Sequence, residues 1–418
     1  MTLKTSTLSN GMRVVTDTVT EVESVAIGIW ADVGTRHEDL AHNGVAHMVE
    51  HMMFNGTPTR NSQQIAEAIE NVGGQVNAYT SREVTAYYVH LLKEDMPMAL
   101  DVLGDILQHP IFPDKELEKE RDVILQEIGM TNDTPDDIVF DHYQATAYPG
   151  QALGASILGT ADIVANMKKD TLFDYVRRFY TPQKLVLSAA GHIHHDDLVA
   201  RAEKIFVDLP PNTDPEFEPA RYVGGERREE KDLEQSHVVL GFQGVKRGDI
   251  DYFPAMLLST ILGGGMSSRL FQEVREKRGL VYAVYASHGS YHDDGQFEIY
   301  AGTGPEKLPE LMPVLCNEIK KMATGSVTEM ELSRAKAQIR SGILMSRESM
   351  MSRAGRQAKN LINYNKLPNV ADIVRKVEAV EPGDIRRCAN RIFAGTPTLS
   401  ALGPLKTLES YDNILKRL

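Results

Sequence analysis

The spacing of apolar and polar residues divides the chain into alternating strands and helices. At the start, Ser9-Asn10-Gly11 separates two extended runs, the pattern of a strand-turn-strand hairpin. SVAIGIWADVG then predicts an apolar strand, and HMVEHMMF and NSQQIAEAIENVG predict two helices. Strands follow at QVNAYTS and EVTAYYVHLL, then helices at MPMALDVLGDIL and DKELEKERDVILQEIGM. The second half repeats the order. It has a strand SHVVLGFQG, helices FPAMLLSTILGGG and RLFQEVREK, strands LVYAVYASH and GQFEIYAGT, and helices LPELMPVLCNEIKKM and TEMELSRAKAQIRSGI. The series β-α-α-β-β-α-α recurs at an offset of about 210 residues, a duplication signal. Hairpins of adjacent strands beside runs of helices predict an α+β fold, with helices covering mostly antiparallel sheets. Between the halves, residues 210–235 are rich in proline, glycine and charge, as linkers are. The expected organisation is therefore two homologous domains of roughly 200 residues, 1–209 and 236–418, joined by that linker.

Laying one half on the other sets Leu117 opposite Leu332, Glu120 opposite Ala335 and Glu127 opposite Gly342. HMVEH falls opposite apolar residues of AMLLSTIL. If both halves share a fold, the polar residues of the first half are additions the fold does not need. That favours chemistry over packing for them.

Composition narrows the class. Hydrophobic residues make up 42% and charged residues 25%, ordinary values for a soluble globular protein. The net charge of −13 and the lack of a long basic run argue against nucleic acid as a partner. An acidic protein attracts basic peptides, but net charge alone is a weak guide. No stretch approaches the roughly 18 apolar residues of a membrane span. The N-terminal segment has neither an apolar signal core nor an arginine-rich amphipathic pattern, so a cytoplasmic protein, or an already processed organellar one, is expected. Cys316 and Cys388 are the only cysteines, which excludes a disulfide scaffold and a cysteine-ligated zinc cluster.

The candidate chemistry lies in GVAHMVEHMMFNGT. His47 and His51 are four apart and share a helix face, so both imidazoles can reach one metal ion. Glu50 is displaced around the helix, which suits a carboxylate that holds a metal-bound water without ligating the metal. H-x-x-E-H is the inverted zincin order. The plain alternative is a helix with two hydrogen-bonded histidines, since short motifs recur by chance. Against it, Val45, Met48, Val49, Met52, Met53 and Phe54 surround these groups, and burying them without partners is costly. A third ligand is available. Glu120 and Glu127 are seven apart, two helical turns, and lie on one face. Ile124, Leu125 and Ile128 around Glu127 predict a buried carboxylate, which must be paired or metal-bound. A His, His, Glu set leaves the fourth zinc position open for water. Glu120, in the charged EKER run, is either solvated or supports a ligand from behind.

Glutamates 69 and 76 residues after the second histidine of HxxEH, with GGQVNAYTSRE and ERDVILQEI, resemble the pitrilysin family of zinc metallopeptidases. Within it, the chain resembles the mitochondrial processing peptidase and its bacterial relatives, over essentially its whole length. The resemblance implies one Zn²⁺ per chain held by His47, His51 and Glu127, with Glu50 as general base and Glu120 assisting. The implied activity is hydrolysis of peptides or presequence-like segments. A competing expectation is a non-catalytic or assembly subunit of the same fold. The intact set of four residues speaks against it.

The same resemblance assigns substrate contacts. Asn77, Ala78 and Tyr79 match positions on an edge strand that holds an extended peptide by β-augmentation. Phe54 lines the pocket beside the scissile bond or simply packs in the core. Arg275 and Tyr282 match a distal pair that reaches the substrate from the other domain, with Arg278 a competing candidate for the arginine. Longer family members close two such pairs of domains into one chamber, so a 418-residue chain is expected to form a homodimer with Arg275 and Tyr282 acting across it. Gly263 to Gly265 is read as a helix C-cap that resembles, in shorter form, a glycine-rich loop of the processing peptidase. The histidines of GHIHHDD, His192 to Asp197, are read as an N-capping turn before a helix starting at Leu198.

Overall fold

The computed structural model describes residues 2–213 and 217–418. The first half of the chain contains strands β1 (Thr2–Thr7), β2 (Arg13–Thr18) and β3 (Ser24–Ala31), then helices α1 (Val45–Met52) and α2 (Ser62–Glu70). Strands β4 (Gln75–Thr80) and β5 (Thr85–Leu92) follow, then α3 (Met96–Gln108), α4 (Asp114–Asn132), α5 (Pro135–Ala147), α6 (Ala161–Asn166) and α7 (Lys169–Phe179). Strand β6 (Leu185–Gly191) and α8 (His195–Ile205) end it. The second half contains β7 (Gly225–Glu230), β8 (Ser236–Gln243), α9 (Tyr252–Gly263), β9 (Val281–Ser290) and β10 (Gly295–Thr303). It closes with α10 (Leu308–Thr324), α11 (Glu329–Met345), α12 (Met350–Tyr364), α13 (Val370–Glu378), α14 (Pro382–Phe393), β11 (Thr398–Gly403) and α15 (Tyr411–Arg417).

Two compact units form, and each contains one sheet. The first sheet runs β1-β2-β6-β3-β5-β4, antiparallel except for the parallel pair β2–β6. The second runs β7-β11-β8-β10-β9, antiparallel except for β7–β11. The α+β reading and the duplicated order both hold in this topology. Among the described residues, no helix is long and apolar enough to cross a membrane.

The units are not the two contiguous halves that the sequence predicts. The first takes Met1–Gly129, Ala155–Glu218 and Leu344–Pro368, and the second takes Met130–Gly154, Pro219–Ile343 and Asn369–Leu418. Helix α12, from the second half, lies on β2, β3 and β6 of the first sheet. Its stripe Met350, Ala354, Ala358 and Leu361 is spaced to face one side, and it covers Val15, Ala26, Trp30 and Val186. A buried ion pair from Arg353 to Asp17, 2.7 Å long, fixes its register. Helix α5, from the first half, lies in the same way on β7, β8 and β11. There Val139, Tyr143 and Ala147 pack on Val239 and Leu402. The exchanged helix is the same element of the repeat in both cases.

The stretch 210–235 is likewise more than a linker, because β7 lies within it. Its sequence GERREE carries no apolar alternation, since an edge strand is held by backbone pairing and its charges block further strands. Two smaller expectations also shift. Helix α8 begins at His195 rather than Leu198, with Asp196 and Asp197 in its positive first turn. His195 itself is clamped between the hydroxyls of Ser6 and Thr16 at 2.8 and 2.9 Å, a structural role. RLFQEVREK forms a single wide π-type turn over Phe271–Glu276 instead of an α-helix.

Candidate active site

Helix α1 buries Val45, Ala46, Met48, Val49 and Met52, so its remaining face carries His47, Glu50 and His51. Helix α4 supplies the partner face. Leu117, Glu120, Ile124 and Glu127 recur at intervals of three and four, and Leu117 and Ile124 anchor that face in the core.

Three donor atoms converge there. His47 Nε2 lies 3.7 Å and His51 Nε2 3.8 Å from Glu127 Oε2. The ligand atoms of the three residues all fall within 4.8 Å of one another, and the described residues contain no other such group. These separations are too long for hydrogen bonds. Tetrahedral zinc with bonds near 2.0–2.1 Å spaces its ligands by about 3.4 Å, so the donors stand close to where an ion holds them. Within the site, two buried atoms have no protein hydrogen-bond partner, His47 Nδ1 and Glu50 Oε2. The Glu50 oxygen lies on the same helix face as the two histidines and is placed to hold a water there. The donor set therefore fits a zinc ion.

The surroundings set protonation. Burial, helped by the neighbouring His51, drives the His47 pKa down to about 4, which keeps it a neutral ligand. Burial is the largest single influence on His51 and works against its charge, but the hydrogen bond to Glu120 and the carboxylate charges of Glu127, Glu120 and Glu50 together outweigh it and raise its pKa. Glu120 Oε2 accepts from His51 Nδ1 at 2.9 Å, which turns Nε2 toward Glu127. That bond holds the Glu120 pKa below its ordinary value. Asn55 Nδ2 donates to Glu120 Oε1 at 3.1 Å and to the His51 carbonyl at 3.1 Å. Burial pushes the Glu50 carboxyl up, while Thr80 at the end of β4 and the charge on His51 pull it back. An elevated carboxyl beside the metal position suits a proton acceptor.

Glu127 is less buried than expected, with its side chain 37% exposed, because this end of the site is open to solvent. Strand β4 is a sheet edge, paired only with β5, as an acceptor of a peptide strand requires. Ala78 packs on the α1 side of the sheet, and Asn77 is exposed. Tyr79 points to the opposite face. Its hydroxyl accepts from Trp30 Nε1 at 3.2 Å, and Lys359 sits over its ring. Only its backbone is available on the metal side, a consequence of strand alternation. Phe54 is half-buried, with its ring 6.0 Å from that of Tyr87.

In the second unit, the Arg275 guanidinium stacks over the rings of Phe271 (4.9 Å) and Tyr282 (5.6 Å). Tyr282 is 75% exposed, on the edge strand β9. Arg278 instead pairs with Glu273 at 2.8 Å, which leaves Arg275 as the partner of Tyr282. Gly263 to Gly265 terminate α9. A Cβ on Gly263 meets the Ala286 backbone at 2.2 Å, so this glycine lets helix and strand touch. Sequence patterns alone do not single out three further contributors: Asn55, Thr80 and Glu38. Asn55 lies past the end of α1, where helical spacing no longer places a side chain. Glu38 caps α1 from outside the helix.

Residues 13–161 match the family model "Insulinase (Peptidase family M16)", and residues 166–339 match "Peptidase M16 inactive domain". An uncharacterised zinc protease of Rickettsia felis is 40% identical over 400 residues, covering 96% of this chain and 97% of that one. The uncharacterised zinc protease YmxG of Bacillus subtilis is 37% identical over 414 residues, 98% and 100% of the two chains. A protease structure from Helicobacter pylori superposes with a TM-score of 0.91 at 22% identity, covering 96% and 99% of the two chains. The architecture is thus that of a two-domain metallopeptidase fold. The chain belongs to peptidase family M16, the insulinase or pitrilysin family.

Proposed function

We propose that the protein is a zinc-dependent endopeptidase that hydrolyses extended peptides or presequence-like segments, with one zinc ion per chain. The observation that carries this reading is the convergence of His47, His51 and Glu127 beside a buried, unpartnered oxygen of Glu50. His47, His51 and Glu127 hold the metal, and Glu120 keeps His51 in the tautomer that offers Nε2. Bound zinc supplies Lewis acidity that brings water toward ionisation at neutral pH. Glu50 removes the proton from the attacking water and delivers it to the leaving amine. The free edge of β4 holds the peptide main chain, which reads backbone more than side chains. Arg275 and Tyr282 donate hydrogen bonds to substrate carbonyl groups. The exposed Tyr282 hydroxyl lies in a unit with no ligand set of its own among the described residues. This supports a homodimer in which the pair serves the metal site of the other copy. Sedimentation of a fully active monomer contradicts the dimer.

The test is metal analysis together with peptide hydrolysis by wild type and Glu50→Gln. Zinc retained with kcat lowered by about a thousandfold supports the reading. Unchanged cleavage overturns it.

A further inference from the structure

The segment between β3 and α1 touches both halves of the proposed chemistry. At its start, Thr35 N–H donates to the Ser81 carbonyl (3.1 Å) and Arg36 N–H to the Arg82 carbonyl (3.0 Å), both in the β4–β5 turn. The Arg36 side chain is buried and pairs with Glu83 at 2.6 Å. At its end lies Glu38, also buried. Glu38 Oε1 accepts from Ala46 N–H at 2.7 Å, and Oε2 accepts from Gly44 N–H and Asn43 Nδ2, both at 2.9 Å. Helix α1 has no side-chain cap of its own, because its N-cap is Gly44. Glu38 fills that role from six residues upstream and fixes the first turn, which carries His47.

Neither end can slide. A Cβ on Gly34 falls 2.1 Å from the Ser81 carbonyl oxygen, so the segment lies flush on the turn. Gly44 has φ +93°, and a Cβ there falls 2.8 Å from the Leu158 carbonyl oxygen. Asn43 Nδ2 also donates to the Ser156 carbonyl at 3.0 Å.

We propose that this segment is a brace that sets the metal helix at a fixed distance from the peptide-holding edge strand. Glu38 is a positioning residue for His47, and the Arg36–Glu83 pair is a positioning contact for β4. The inference rests on the proposed function and adds a division of labour to it. One end governs metal affinity and the other governs peptide binding.

The experiment compares full-length wild type, Glu38→Gln and Glu83→Gln. Zinc affinity is read by competition with a chromophoric chelator, and KM and kcat are read on an unstructured peptide. Glu38→Gln turns an acceptor into a donor facing backbone N–H groups, and it is expected to weaken zinc binding about tenfold with KM for the zinc-loaded protein unchanged. Glu83→Gln is expected to raise KM about fivefold with zinc affinity unchanged. Equal zinc affinity in Glu38→Gln and wild type overturns the brace, as does loss of both properties in proportion in both variants. If Glu38→Gln does not fold, Glu38→Asp, which keeps the charge and shortens its reach, replaces it: weakened zinc binding supports the brace and unaltered binding overturns it. A wild type that takes up no zinc overturns the proposed function itself. Wild-type zinc binding with unaltered Glu38→Gln affinity overturns only the brace.

Discussion

Helices α4 and α11 occupy the same place in the two repeats, and their corresponding faces differ at two positions out of four. The face of α4 reads Leu117, Glu120, Ile124, Glu127, and that of α11 reads Leu332, Ala335, Ile339, Gly342. Leu117 and Leu332 are both 2% exposed, so the anchoring hydrophobe is kept. Ala335 is equally buried, whereas Glu120 opposite it is held by His51 and Asn55. One fold has thus been kept as a packed scaffold in one unit and loaded with carboxylates in the other. In the loaded unit, buried atoms of His47 and Glu50 in the site have no protein hydrogen-bond partner. An apolar face does not tolerate such groups unless something binds them.

Four substitutions break or sharpen this contrast. The largest effect is expected from Ala335→Glu, which writes the carboxylate of α4 into the repeat that lacks its partners. A buried, unpaired acid there is expected to cost about 3 kcal/mol, read as a lower urea midpoint. A neutral outcome contradicts the view that Glu120 is tolerated only because His51 and Asn55 hold it. Next, Glu120→Gln is expected to lower zinc affinity about 10- to 100-fold while the fold survives, by releasing the His51 ring. Chelator competition measures this, and equal affinity removes Glu120 from the site. The smallest effect is expected in the unit without metal ligands. Arg275→Ala is expected to lower kcat/KM about tenfold with zinc content unchanged, and Arg278→Ala to leave it near wild type. Steady-state kinetics that reverse this order assign the substrate arginine to Arg278, against its pairing with Glu273.

The site was more legible in the sequence than the arrangement of the units. Spacing of four on α1 and seven on α4 sets side chains on one helix face whatever the surrounding fold, so His47 pairs with His51 and Glu120 with Glu127, and the family resemblance joins the two helices into one candidate site. The side to which the Tyr79 ring turns follows from strand alternation in the same way, because Ala78 facing α1 sends its neighbour to the other side. The exchange of α5 and α12 had no such signal. An amphipathic stripe such as Met350, Ala354, Ala358, Leu361 fits any apolar sheet face, and local pattern does not say which sheet. Strand β7 was hidden by its charges, since its place is set by backbone bonds to β11. Glu38 was missed because its partners are fixed by the path of a loop, which periodicity does not encode.

The central claim is that two copies of one fold carry a single metal site, built by His47, His51 and Glu127. Zinc stoichiometry of wild type and Glu127→Ala tests it most directly. The account predicts one zinc per chain in the wild type and none in a folded Glu127→Ala. Two zinc ions per chain, or one retained without Glu127, contradicts it.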